Sequence, residues 1–275
     1  MSSVVNPHAG ITYHRPRGRV SPGLLAVAAL LIASALIAAY RHQAWEFPIM
    51  RAINAYARHS AALDRGMHAL TARDLLQGVP FIGLIWFLWF ETESAPTRIK
   101  LFLGTVAASF AGIVSRVIQI VLPTHLRPLH EPALSFLPPL GVDPEALNHF
   151  NSFPSDHGAV FFALCAVIWQ IRPKLGTAAF AWAAIVDLAR VYEGFHFPSD
   201  VAGSIGVGLL VLIAFQAARD WPPVSRIVAF EHTRRPWFYM LAFVVTFQIA
   251  TLFDDVREIC RGAAALLLHR DVFIR

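Results

Sequence analysis

Long runs without charge, broken by short polar segments, set the pattern of this chain. Residues 20–40 carry no charged side chain. At about 1.5 Å of rise per residue, roughly 20 apolar residues cross the hydrocarbon core of a bilayer. The run predicts a first transmembrane helix. It is long for the apolar stretch of a cleaved signal, although Ala33-Ser34-Ala35 has the form of a weak cleavage site. In residues 41–74, Trp45, Phe47, Ile49, Ile53 and Tyr56 alternate with Arg51, Arg58 and His59. That mixture at partly helical spacing predicts one helix lying in the membrane interface.

Residues 74–91 predict a short second span, with Trp86, Phe87, Trp89 and Phe90 toward one end, where aromatic rings suit a membrane–water boundary. A polar loop at 91–100 precedes a third span at 101–122. Residues 123–156 form a long loop with seven prolines; a loop of this length is functional or disordered. Further spans are read at 157–171, 175–192 and 199–218. A basic linker at 219–236 leads to a seventh span at 237–253 and an amphipathic tail at 254–275. The expected fold class is all-α: a polytopic membrane helical bundle of six core transmembrane helices, a seventh, and an interfacial helix. It is read as a single integral-membrane domain over 1–275, with its catalytic core at 98–218.

Composition supports this pattern. The 275 residues are 56% hydrophobic and only 15% charged, against about 25% charged in a soluble domain. The net charge is +5. The arginines sit mostly at span ends, so the excess is assigned to topology and lipid headgroups rather than to nucleic acid. Cys165 and Cys260 have neither metal-site nor disulfide spacing, and His125, His130 and His149 lack ligand spacing as well. With residues 1–20 cytoplasmic, segments 1–20, 91–100, 172–174 and 219–236 hold 11 of the 23 Lys and Arg residues. Their density is about twice that of the opposite side, as the positive-inside rule requires. Loop 123–156 and stretch 189–200 then share the outer face.

Three polar clusters fall at span ends on that face: Arg127-Pro128, then Phe153-Pro154-Ser155-Asp156-His157, then Arg190, His196 and Asp200 in the spacing R-x5-H-x3-D. Ionisable groups at such positions mark function more often than chance, although an interfacial loop facing water would carry them too. Arg127 and Arg190 are planar forks suited to phosphate oxygens. Ser155 and the following amides open a helix, whose N-terminus attracts anions. His157 and His196 are easily poised near neutral pH. Asp200 can hold one nitrogen of His196 and so expose the other as nucleophile or base. These groups make a phosphoryl-transfer site, where positioning and charge do most of the catalysis. An anion transporter is the competing class, but it predicts charges near the midplane and repeated halves, and no repeat is visible.

With these residues the chain resembles the type 2 phosphatidic acid phosphatase superfamily, whose pattern is K-x6-R-P, P-S-G-H and S-R-x5-H-x3-D. The resemblance covers about residues 98–218. It implies that His196 attacks phosphorus and forms a phosphohistidine, that Asp200 orients it, and that His157 protonates the leaving oxygen and then activates water. It further implies that Arg127, Arg190, Ser155 and the Asp156 amide bind phosphoryl oxygens, with no cofactor and no metal. Three positions depart from the pattern. Ile120 stands at the Lys position, with Arg116 the favoured substitute over Gln119 and His125. Asp156 replaces the Gly, as in some family members that act on lipid diphosphates. Ala189 replaces the Ser. The implied partners are a membrane and a lipid phosphate, best read as undecaprenyl diphosphate. Phosphatidate, phosphatidylglycerophosphate, lipid A phosphate, a phosphotransferase variant and an inactive lipid-binding relative are the alternatives. The implied location is the bacterial cytoplasmic (inner) membrane with an outward, periplasmic site. Asp187 is expected to pair with Arg190, and Glu193 to lie in a solvated loop.

Overall fold

A computed structural model describes residues 22–41, 45–148, 150–256 and 258–259. The basic tail 1–20 and most of the tail 254–275, with His149 and Cys260, lie outside the described residues. All regular structure described is helical: α1 (Pro22–Tyr40), α2 (Glu46–Asn54), α3 (Ala61–Ala72), α4 (Gly78–Glu91), α5 (Ala95–Val121), α6 (Asp156–Ile171), α7 (Pro173–Tyr192), α8 (Pro198–Ala217), α9 (Pro222–Thr233) and α10 (Arg235–Ala250). Four of them, α1, α5, α7 and α8, are long and apolar enough to cross a membrane; α4 and α6 are shorter apolar helices. The protein is a multi-pass membrane helical bundle.

The bundle is built around α6. Every residue from Gly158 to Ile168 is buried, which explains why this segment is apolar all round rather than on one stripe. It packs against α5, α7 and α8, and α8 carries α1 on its outer side. Backbone contact is close: a Cβ on Gly208 of α8 would lie 2.6 Å from the Ala159 carbonyl oxygen of α6. Small residues permit such approaches between membrane helices. The α4 start meets the end of α10 in the same way, a Cβ on Gly78 falling 2.0 Å from the Ala250 carbonyl oxygen.

Several boundaries differ from expectation. The interfacial segment is two helices, because Arg58 turns into the left-handed region (φ 62) and Ser60 caps a new start at Ala61, accepting from Leu63 N. The third span begins at Ala95 rather than 101, since Pro96 is tolerated in a first helical turn. Its Arg98 is buried and paired with Glu231 at 2.7 Å. The basic linker is the helix α9, which Glu231 thereby joins to α5. The seventh apolar segment is shorter than read: α10 has 16 residues, about 24 Å of helix.

The proline-rich loop 123–155 is fastened, not loose. Its prolines block regular structure over much of its length, so many backbone groups need outside partners. Arg51 donates to Ala133 O at 3.0 Å and Arg58 to Pro138 O at 2.8 Å. Asn54 donates to Leu137 O and accepts from Leu137 N. Asp64 accepts from the amides of Arg58 and Leu140 and from the Tyr192 hydroxyl, which links α3, the loop and the end of α7. Asp64→Ala should orphan all three donors and cost about 2–4 kcal/mol. The expected readout is a Tm lowered by several degrees in detergent, with Arg51→Ala, at an exposed site, losing much less.

Candidate active site

The three polar clusters meet where α5 and α7 end and α6 and α8 begin. Ser155 N donates to Asp200 O at 3.2 Å, joining the starts of α6 and α8. Leu129 N donates to Gly194 O at 2.9 Å, joining the loop to the α7–α8 turn. Gly194 takes φ 78 there, and a Cβ would lie 2.7 Å from the Phe136 ring, so the turn requires glycine on both counts.

The R-x5-H-x3-D spacing reflects this turn. Arg190 lies in the last turn of α7, His196 in the connection and Asp200 in the first turn of α8. Asp200 Oδ2 accepts from Phe197 N at 2.7 Å, which satisfies an otherwise unpaired donor at a helix start. The same oxygen accepts from the Ser152 hydroxyl. Oδ1 lies 3.4 Å from His125 Nε2.

His196 is fully buried. Its Nδ1 is 3.0 Å from Ser152 O and 3.5 Å from Asp200 Oδ2. Both partners are acceptors, so Nδ1 carries the proton and Nε2 keeps its lone pair. Arg127 Nη1 stands 3.4 Å from that Nε2. Burial, with the nearby Arg127 charge, pushes the imidazole down to about 4. His196 is therefore neutral at ordinary pH.

Arg127 is buried, and carbonyls from three segments hold it: Phe195 O at 2.6 Å, Asn151 O at 3.1 Å and Phe150 O at 3.3 Å. Burial lowers its guanidinium to about 10, so it remains charged at neutral pH. Arg190 is buried too, with its guanidinium 5.5 Å from the Phe195 ring centroid. Asp187, the expected partner one turn earlier, is buried and within Coulombic reach of it.

The opening of α6 carries the second cluster. Ser155 is buried and caps the helix, accepting from Gly158 N at 3.2 Å. Asp156 does not turn away from the site. Its Oδ2 accepts from Arg116 Nη2 at 2.8 Å, and its Oδ1 from His157 Nδ1 at 2.9 Å. Arg116 also donates to Gln119 Oε1 at 3.0 Å, while Gln119 Nε2 donates to Pro154 O at 2.6 Å. Arg116 thus reaches the opening of α6 from α5, whereas Ile120 is three-quarters exposed on the outer side of that helix. Gln119 is scaffold, and His125 stands behind Asp200.

Three residues outside the sequence-read set belong to this framework. Ser152 holds both Asp200 and His196. Asn151 orders the loop, accepting from His125 N and donating to Gln119 O. Glu193 is fully buried rather than solvated, 2.8 Å from His68 Nδ1 of α3. No spacing announces these partners, since they lie 26 to 125 positions apart. Among the described residues no three His, Cys, Asp or Glu side chains form a group able to hold a metal ion.

The family model described as the PAP2 superfamily matches residues 123–222, from the loop after α5 to the start of α9. YbjG of Escherichia coli (strain K12), a proposed undecaprenyl-diphosphatase, is 31% identical over 149 residues, covering 53% of this chain and 68% of that one. Undecaprenyl-diphosphatase BcrC of Bacillus subtilis (strain 168) is 25% identical over 169 residues, covering 62% and 81%. Among solved structures, the first transmembrane PAP2 type phosphatidylglycerolphosphate phosphatase from Bacillus subtilis has 22% identity and a TM-score of 0.48, over 69% of this chain and 94% of that one. The match of residues 123–222 to that model and the 31% identity to YbjG over 68% of that protein place it in one family: the chain belongs to the PAP2 superfamily.

Proposed function

We propose that this protein is a lipid diphosphate phosphatase that removes the terminal phosphate of undecaprenyl diphosphate or a close polyprenyl relative. The observation that carries the reading is the His196 imidazole, locked with Nδ1 on Ser152 O and near Asp200, and with Nε2 beside Arg127. That arrangement presents a lone pair and a cation to one phosphoryl group. The names of YbjG and BcrC support the diphosphate substrate, as does Asp156 in the second motif. The basic ends of α5, α7 and α9 lie opposite the site, which supports a periplasmic-facing site in a cytoplasmic membrane.

The chemistry balances with side chains alone. His196 Nε2 attacks the terminal phosphorus, an N–P bond forms, and the bridging P–O bond breaks. His157, held by Asp156, gives a proton to the departing lipid monophosphate. It then takes a proton from water, whose oxygen attacks the phosphohistidine and releases inorganic phosphate. Arg127, Arg190, Arg116 and the α6 N-terminus stabilise the oxygens whose charge grows in each transition state. Asp200 and Ser152 keep His196 in the productive tautomer.

His196→Ala should reduce phosphate release from undecaprenyl diphosphate by at least about a thousandfold and abolish an acid-labile, alkali-stable phosphoenzyme. Unchanged release would refute the mechanism. The low His196 pKa sets a second expectation. A depressed pKa keeps the neutral, nucleophilic form on the acid side, so it is lost only as pH falls through about 4. Single-turnover phosphoenzyme formation should persist well below the ordinary imidazole value of about 6.5; a loss centred there and traced to His196 would contradict the burial argument. Third, Arg116→Ala should lower kcat/KM about 10- to 100-fold, because it leaves Asp156 unneutralised beside the incoming phosphate. Arg116→Ala combined with Asp156→Gly should recover part of that loss, and a double-mutant cycle measures the coupling.

A further inference from the structure

A second feature opens from the same site. A groove of about 310 Å³ runs between α5 and α6 and ends at Arg116, Asp156 and His157. Apart from Ser109 its remaining lining is apolar or glycine. On α5 it is formed by residues 109, 112, 113, 116 and 117, the i, i+3, i+4, i+7, i+8 stripe of one helix face. Ile113 and Val117 are about half exposed on the membrane side, so the groove is continuous with the lipid.

Its third wall comes from beyond the family-matched residues 123–222. α10 stops at Ala250, and Leu252 and Phe253 take φ 53 and 60. Non-glycine residues adopt that region rarely, and bulky ones least of all. The turn closes with Phe253 N on Gln248 O at 2.6 Å. It directs Leu252, Phe253 and Val256 onto the α5–α6 groove, and Leu252 is buried there. Strained backbone of this kind persists where surrounding contacts demand it.

We propose that this groove holds the headgroup-proximal part of the substrate's isoprenoid chain, and that the segment 252–256 is a specificity wall for it. The inference rests on the lipid diphosphate reading above. Charge complementarity fixes the direction of the occupant. The anionic headgroup meets Arg116 and His157, and the hydrocarbon lies along Gly112, Ile113 and Phe253. The volume is at the small end of ligand sites, which fits the first isoprene units and leaves the remainder in the bilayer.

The test compares farnesyl diphosphate in detergent micelles with methyl diphosphate, which has the headgroup and no chain. In one variant, Gly112→Leu, the new side chain fills the groove, its Cβ starting 3.0 Å from Val160. In the other, Phe253→Ala, the wall is removed. Both should raise KM for farnesyl diphosphate about tenfold while leaving kcat/KM for methyl diphosphate unchanged. In the His196→Ala background, which should not turn over, each variant should weaken farnesyl diphosphate binding by a similar factor. Equal losses on both substrates from both variants, or no loss on farnesyl diphosphate, would overturn the proposal. If the unaltered protein releases phosphate from neither substrate, the phosphatase reading fails and the groove assignment with it. Release from both without a chain-specific effect sinks the groove alone.

Discussion

The carboxylate of Asp200 is fully buried near the end of a membrane bundle, where an uncompensated charge is very costly. Its surroundings are organised to meet that cost. One oxygen takes the Phe197 amide and the Ser152 hydroxyl; the other faces His125; and the His196 imidazole lies alongside. The Asp200 carbonyl also receives the Ser155 amide. One residue therefore fixes the start of α8, the start of α6, the end of the proline-rich loop and the orientation of the candidate nucleophile. Groups that hold one another from several chain segments in this way keep a single geometry.

Rigidity here reaches well beyond the site. The loop that carries Arg127, Asn151 and Ser152 is pinned on its far side by Arg51, Asn54, Arg58 and Asp64. Arg127 pins it on the near side through carbonyls of both the loop and the α7–α8 turn. Beneath that turn, the buried Glu193 meets His68 of α3. The small helices α2 and α3 thus act as a clamp on the chain that positions the charged groups. Preorganised donors and cations of this kind stabilise developing charge without reorganising at the moment of reaction.

The departures from the family pattern are physically connected. The position of the missing lysine, Ile120, is on the wrong face of α5 to reach the site. Arg116 lies one turn earlier on the right face and spans to Asp156, the residue that replaces glycine. The added carboxylate is thereby neutralised by a cation of the same site. The same Arg116 forms the polar end of the α5–α6 groove, where the proposed headgroup site meets the apolar residues supplied after α10.

Helical class, the membrane-crossing runs and the three charged clusters were legible in the chain itself. Hydrophobic runs and motif spacings are local properties, and alternation of spans dictates which ends share a face. Helix boundaries were less legible. Pro96 starts α5 early and Arg58 divides the interfacial segment, because capping and left-handed turns depend on neighbours that periodicity does not register. The partners of Asp156, Glu193 and Asp200 were not legible at all. Arg116 and Asp156 are 40 residues apart, and His68 and Glu193 are 125. Such pairs are decided by how helices distant in sequence pack side by side, and that packing alone turned Glu193 from a solvated loop charge into a buried one. The sequence determined which chemical groups are present and at which end of the bundle; only the tertiary structure decided which of them touch.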